Sequence, residues 1–326
     1  MNKYLVTGGT GFIGAACVRR LVERGHRVRV LDNQFRGSNR RLESVLDRID
    51  LVEGDIRDAA TVRQAVSGVD SVIHMAFVNG TRHFYEQPEL VLDVGVRGML
   101  NVLDACRVEG VRELVTASSS EVYQSPTVIP TPEDVPAVIP DVQNPRYSYA
   151  GGKLISELLT LTWGRSGFDR VLIFRPHNVY GPDMGWEHVI PELSMRMLDL
   201  SDAAGGATFD MPIQGDGTQT RAFVHIDDFT DGLMCVLDRG QHMNIYHLGT
   251  ADEVSISELA LRIGTVLGLR PTLVFSESPS GQTLRRCPDI SKVRALGYSP
   301  GVGLDEGLQD TLAWYRAHRS LRPARS

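Results

Sequence analysis

The sequence is poor in the features that would take it out of the ordinary globular class. Four cysteines, Cys17, Cys106, Cys235 and Cys287, lie far apart in 326 residues with no CxxC spacing. That excludes a disulfide-stapled scaffold and offers no cysteine-based metal motif. Three of them fall in apolar packing patterns, so reduced thiols, a cytoplasmic setting and no metal site are expected. There is no basic block either. Lysine and arginine together number 34 against 40 acidic side chains, a net charge of −6, which argues against nucleic acid as a partner. A negatively charged substrate would have to be held by particular arginines. No apolar run is long enough to span a bilayer. The chain opens directly on a strand pattern, which leaves no room for a signal peptide in the sequence as given. Internal repeats and low-complexity tracts are absent as well.

What is present begins at once. Residues 3–32 read KYLVTGGTGFIGAACVRRLVERGHRVRVLD, in which an apolar strand (Tyr4 to Val6) runs into Gly8, Gly11 and Gly14. A helix follows, and a second apolar strand (Val28 to Leu31) ends on Asp32. This is the order of a dinucleotide-binding βαβ unit, whose glycines let the backbone turn tightly and approach a pyrophosphate at the positive end of the helix. Ile13, Ala16 and Leu21 give the helix an apolar side, and Gly25 suits a left-handed cap after Arg24. Asp32 is placed to accept hydrogen bonds from an adenosine ribose diol and to repel a 2′-phosphate. That favours NAD over NADP.

Alternation of strand and helix patterns continues well beyond this unit. Leu51 to Glu53, Ser71 to His74, Leu114 to Ser118 and Val171 to Arg175 read as short buried parallel strands, separated by helical stretches at Ala59 to Val66, Val91 to Val108 and Tyr149 to Arg165. The pattern predicts an α/β fold, a Rossmann-type doubly wound parallel sheet with helices on both faces. After Arg175, prolines and glycines break the periodicity, and substrate loops are expected there. His225 to Leu237 and Ile245 to Leu248 read as a return to the main sheet. The expected division is therefore a nucleotide-binding domain of residues 1–176 and 225–250 and a smaller, discontinuous α/β substrate domain of residues 177–224 and 251–326. The short basic tail from Leu321 is expected to fray.

Three further pieces carry a resemblance. Tyr149-Ala-Gly-Gly-Lys153 matches YxxxK, Ser118-Ser-Ser-Glu-Val-Tyr123 matches a serine/threonine segment at a strand end, and Arg175-Pro-His-Asn-Val-Tyr-Gly-Pro182 matches a substrate-loop signature. Gly215-Asp-Gly-Thr-Gln-Thr-Arg221 and Arg286-Cys-Pro-Asp-Ile-Ser-Lys292 add two later ones. Over nearly its whole length the chain resembles the extended short-chain dehydrogenase/reductase superfamily, specifically its NAD-dependent nucleotide-sugar epimerases, dehydratases and decarboxylases. Residues four apart share a helix face, so Lys153 would lie beside Tyr149 and lower a phenol pKa of about 10. A tyrosine so tuned can take a proton from a sugar hydroxyl while hydride passes to the nicotinamide. Tyr147 is a competitor, but it has no lysine four residues on.

The resemblance implies the remaining roles. NAD would be held by Gly8, Gly11, Phe12, Ile13, Gly14, Asp32, Asn33, Asp55, Ile56, Met75 and Ala76, with Tyr149 and Lys153. Ser119 would orient the substrate, with Ser118 and Ser120 as alternatives. Asn178, His177 and Val189 would face a nucleoside-diphosphate sugar, His177 as a pocket-wall donor, and Arg221 and Arg286 would hold the diphosphate. Ser120 and Glu121 stand where 4,6-dehydratases resemble Asp-Glu and sugar-acid decarboxylases Ser-Glu. Glu121 either does acid/base work at a second carbon or is a carboxylate at the pocket edge. Two positions depart from the pattern: Gly95 replaces a usual asparagine, and Phe77 a usual small residue. The reaction expected first is epimerisation through a transient ketosugar with bound NAD recycled. The alternatives are decarboxylation or dehydration using Glu121, and, from another class, a nucleotide-binding regulator without turnover. A homodimer through the helices Val91 to Val108 and Tyr149 to Arg165 is implied too.

Overall fold

Alternate residues along each strand of the central sheet enter opposite apolar cores, which is why the strands read as continuous apolar runs. The computed structural model describes residues 1–277 and 284–323. The sheet contains β1 (Lys3–Thr7), β2 (Arg27–Asp32), β3 (Ile49–Glu53), β4 (Ser71–His74), β5 (Glu113–Ala117), β6 (Arg170–Pro176) and the strand Asn244–Leu248. Their order is Asn244–Leu248, β6, β5, β4, β1, β2, β3, all parallel. This is the Rossmann-type sheet expected. Val6 and Val30 enter a core shared with α1 (Phe12–Glu23) and the helix Ile226–Arg239, while Leu5 and Leu31 enter the core on the other face.

That second core packs α2 (Ala59–Val66) and the helices α3 (Thr81–Glu86), α4 (Pro88–Leu92), α5 (Gly98–Glu109) and α6 (Ser148–Gly164). Local chemistry sets several ends. Asp58 accepts from Ala60 and Thr61 N–H to start α2, and Gly25, at φ +78°, closes the turn after α1. The helix expected over Val91 to Val108 is not continuous. A π turn at Asp93–Arg97 separates α4 from α5, and Gly95 sits inside it with the Phe77 ring against its backbone. A wide turn at a glycine is one way a helix accommodates a group wedged beside it.

A third apolar cluster unites the helices Val189–Ala204, Ile256–Leu267 and Leu304–Ala317 with the strand Thr208–Ile213. Cys17, Cys106 and Cys287 are buried. The basic tail is held as far as it is described: Arg319 and Arg322 both pair with Asp199, and Arg319 also with Asp202. The expectation that the tail frays from Leu321 falls in part on residues 324–326, which lie outside the described residues. Among the described residues no helix is long and apolar enough to cross a membrane.

Candidate active site

The sheet order reverses between β1 and β4, and a cavity of about 540 Å³ opens at the carboxyl ends of these strands, where a doubly wound sheet places its ligand. All the residues expected around NAD line it. The backbone here approaches itself too closely for side chains. A Cβ on Gly14 would lie 2.1 Å from the Gly8 carbonyl oxygen, and one on Gly8, at φ +73°, 2.7 Å from the Ala76 nitrogen. The Asp32 carboxylate accepts from Thr10 N–H at 2.9 Å and Gln34 N–H at 2.7 Å, which holds it at the end of β2. Asn33 donates to Asp55 at 3.1 Å, and Asp55 is paired with Arg57 at 2.7 Å. A glycine cradle at a helix start with an oriented acid beyond it fits NAD.

At the other end of the cavity stand Ser119, Tyr149 and Lys153. The hydroxyl of Ser119 hydrogen-bonds the Tyr149 phenol and also accepts from Glu121 N–H at 3.1 Å, capping the short turn Ser120–Tyr123. Ser118 is taken up elsewhere: it donates to Glu157, which also receives two hydrogen bonds from Arg175 at 2.8 and 2.6 Å. Ser120 lines the cavity but is nearly buried. Ser119 is thus the serine in contact with the phenol.

One expectation needs correcting. Tyr149 and Lys153 do share a face of α6, but in the protein alone the ammonium does not set the phenol. Burial pushes the Tyr149 phenol up to about 12, against the hydrogen bond from Ser119. Burial also pulls the Lys153 ammonium down to about 7, opposed by the charge of Glu157. Desolvation disfavours both charged forms more than their neighbours favour them. Lys153 donates to the Ala117 carbonyl at 2.7 Å and lies 5.9 Å from the Tyr149 ring centroid.

Glu121 is a hydrogen-bonded carboxylate in the cavity wall. Arg286 reaches across from the short strand Arg285–Arg286 to pair with it at 2.6 Å. Burial raises the Glu121 carboxyl, but Arg286, with Arg146 and Arg221 behind it, outweighs that and holds it below the usual range. Arg221 neighbours Arg286 in register but does not line the cavity. Its guanidinium is pulled down to about 10 by burial and by the charge of Arg286. Asn178, at φ +40°, lines the cavity.

Besides Arg221, two more residues expected at the substrate lie outside the cavity. His177 is buried behind it, with neither ring nitrogen hydrogen-bonded and its ring edge against His247. It continues the extended run of β6, where neighbouring side chains face opposite ways, and its N–H is held by the Leu248 carbonyl. Val189 packs into the third apolar cluster at the start of its helix, while the preceding Glu187 and His188 line the cavity.

A model of the NAD-dependent epimerase/dehydratase family matches residues 4–249. The chain belongs to that family. It is 30% identical to the UDP-N-acetyl-alpha-D-glucosaminuronate decarboxylase of Bacillus cytotoxicus, over 97% of this chain and 98% of that one. Among solved structures it is similar to DesIV, a dTDP-glucose 4,6-dehydratase from Streptomyces venezuelae with NAD and TYD bound. The TM-score is 0.85 and the identity 32%, covering 98% of each chain. A Thermus thermophilus UDP-glucose 4-epimerase in complex with NAD aligns with TM-score 0.84 and 27% identity over 97% of this chain and 99% of that one.

Within this member of the epimerase/dehydratase family the structure adds residues to the cavity that the motifs did not bring forward. Phe84 from α3 stacks on Tyr149, centroids 4.9 Å apart and planes 19° from parallel. Arg36, in the loop after β2, donates to the Asn79 carbonyl and ties the two loops over the site. Arg146 and His188 complete the wall. No periodicity marks these positions, because loops and short helical turns bring them in.

Proposed function

We propose that the chain is an NAD-dependent decarboxylase of a nucleoside-diphosphate hexuronate. The observation that carries this is the Arg286–Glu121 pair, at 2.6 Å, in the cavity wall beside the Ser119–Tyr149 contact. A guanidinium at the reacting end, rather than only along the diphosphate, suits a sugar carboxylate, which it can accept in exchange for Glu121. The Bacillus cytotoxicus relative, named as a decarboxylase of a sugar acid, supports the same reading.

The roles follow from the geometry. Ser119 orients the C4 hydroxyl and Tyr149 takes its proton, with Lys153 the nearest cation on the same helix face. Held in the cradle of Gly8, Gly11 and Gly14 with Asp32 beyond it, NAD would supply the hydride acceptor and a positive charge beside the phenolate. The resulting 4-ketone makes the C6 carboxylate a β-keto acid. The C5–C6 bond then breaks, its electron pair passes into the enolate, and carbon dioxide leaves. A proton from water at C5 gives the 4-ketopentose, and return of the hydride to C4, with Tyr149 giving its proton back to the C4 oxygen, would restore the hydroxyl and the oxidised cofactor. Dehydration is disfavoured, because it needs an acid beside the leaving hydroxyl. Ser120 is a weak one, and Arg286 keeps Glu121 ionised.

Epimerisation at C4 through the same ketone is the second reading. It requires only Ser119, Tyr149 and Lys153, and Glu121 already neutralises Arg286. The test is incubation with UDP-glucuronate, UDP-N-acetylglucosaminuronate, UDP-glucose and UDP-N-acetylglucosamine, followed by mass spectrometry. Loss of carbon dioxide from a uronate supports the first reading. A new stereoisomer of unchanged mass supports the second, and loss of water rejects both.

A further inference from the structure

Phe77 lies where three parts of the active site meet. The Lys153 Nζ stands 4.1 Å from its ring centroid, and the Tyr149 ring meets it edge to face with centroids 5.2 Å apart. Its far edge fills space that two glycines leave open. A Cβ on Gly95 would lie 2.4 Å from the Phe77 Cζ, and one on Gly152 2.9 Å. The π turn and the glycine on α6 therefore admit this ring, and the ring offers its face to the lysine. The ammonium is almost wholly buried and donates to the Ala117 carbonyl at 2.7 Å. A desolvated ammonium over an aromatic face is attracted by the ring quadrupole, which acts on the charged form alone.

We propose that Phe77 is a positioning residue for the Tyr149–Lys153 pair, its face holding the Lys153 ammonium charged and in place between the Ala117 oxygen and the cavity. This rests on the reading of Lys153 as partner of the reacting tyrosine. The other titratable groups facing the ammonium are Tyr149 and Glu157 on α6 and His74 at the end of β4. Glu157 is engaged by Arg175 and Ser118. His74 is hydrogen-bonded to Thr7 at 2.8 Å and kept neutral by burial. Glu121, beyond Tyr149, is paired with Arg286. Removing the Phe77 face changes the surroundings of the ammonium without removing a charge.

The alternative is that Phe77 merely fills the hollow at Gly95, and the two differ in what titrates. Phe77→Leu keeps most of the bulk and removes the π face, while a ring-fluorinated phenylalanine at the same position keeps the shape and weakens the face. The chain has only Lys3, Lys153 and Lys292 as lysines, so NMR of isotope-labelled lysine, assigned with Lys153→Met, follows Lys153 in the protein with no ligand added. The Lys153 midpoint is expected to fall by roughly 0.5 to 1.5 pH units in Phe77→Leu, and by less with the fluorinated ring. NAD titrated into the same proteins near the wild-type midpoint should bind more weakly as the amine loses its charge. An unchanged midpoint in either folded variant overturns the proposal, and if Phe77→Leu does not fold the fluorinated protein decides it. Because this readout uses no sugar substrate, failure of all uronates to react would count against the proposed function and not against this inference.

Discussion

Tyr149 and Lys153, four residues apart on α6, are each driven toward the neutral form by burial, and we propose them as the reacting pair. Tyr149→Phe keeps the ring against Phe84 and Phe77 and removes the acidic oxygen. Turnover of a matched substrate should fall by at least ~10² while NAD still binds; near-normal turnover would remove Tyr149 from the mechanism. Asp32 is fixed by two backbone N–H groups, so Asp32→Asn keeps an acceptor but discharges the site. NAD and NADP affinities, measured by titration, should converge in that variant, and a wild type that prefers NADP would refute the ribose assignment. Arg286→Gln should raise KM for a uronate by about tenfold or more, with little change for a neutral sugar nucleotide. Equal effects on both would mean that Arg286 serves the diphosphate.

The elements matter through how closely they approach one another. The start of α1 is pressed against β1 so tightly that Gly14→Ala, with its Cβ 2.1 Å from the Gly8 oxygen, must push the loop aside. Overpacking of this kind typically costs about 1–3 kcal/mol, so a lower melting temperature together with weakened NAD binding is the expected result. Unchanged NAD affinity would show that the loop shift does not reach the pyrophosphate cradle. The turn after β5 has a double task. Its Ser119 hydroxyl caps the Glu121 N–H while contacting Tyr149, so a capping role and a substrate-orienting role are compatible in one side chain.

For the whole molecule, charge and apolar surface lead to two expectations. Imidazoles at His74, His188 and His247 are pulled down by burial to about 3, 4 and 3, against about 6.5 when unfolded. Below pH 6.5 the unfolded chain therefore binds more protons. Stability is full above that value and lost as pH falls toward 4, on the order of 1 kcal/mol per imidazole per pH unit. Thermal melts should show a marked drop from pH 7 to pH 5; a flat profile would contradict the buried neutral state. The exposed Val108 on α5 and Ile155 and Leu158 on α6 mark the face through which we propose a homodimer, two helices from each copy. Leu158→Arg should convert a dimer to monomer by light scattering, and a monomeric wild type would dispose of that interface.

The sheet, its parallel character and the glycine cradle were legible in the sequence because each depends on local pattern: apolar runs of strand length, a helix between them, and glycines where backbones meet. The YxxxK pair was legible for the same reason, since a helix converts a spacing into a shared face. The break at Gly95 was visible only as a departure, and its cause, a ring inserted from the loop after β4, required the packing of α4, α5 and α6 together. His177 and Val189 went astray because a loop residue's facing is set by the strand or helix it adjoins and not by its motif. The Arg286–Glu121 pair joins residues 165 apart in the chain, and the signs of the Tyr149 and Lys153 shifts come from how much protein closes over them. Spacing along one element belonged to the sequence; long-range pairing and desolvation arose only when the elements closed around the cavity, because both depend on neighbours that the chain order does not place side by side.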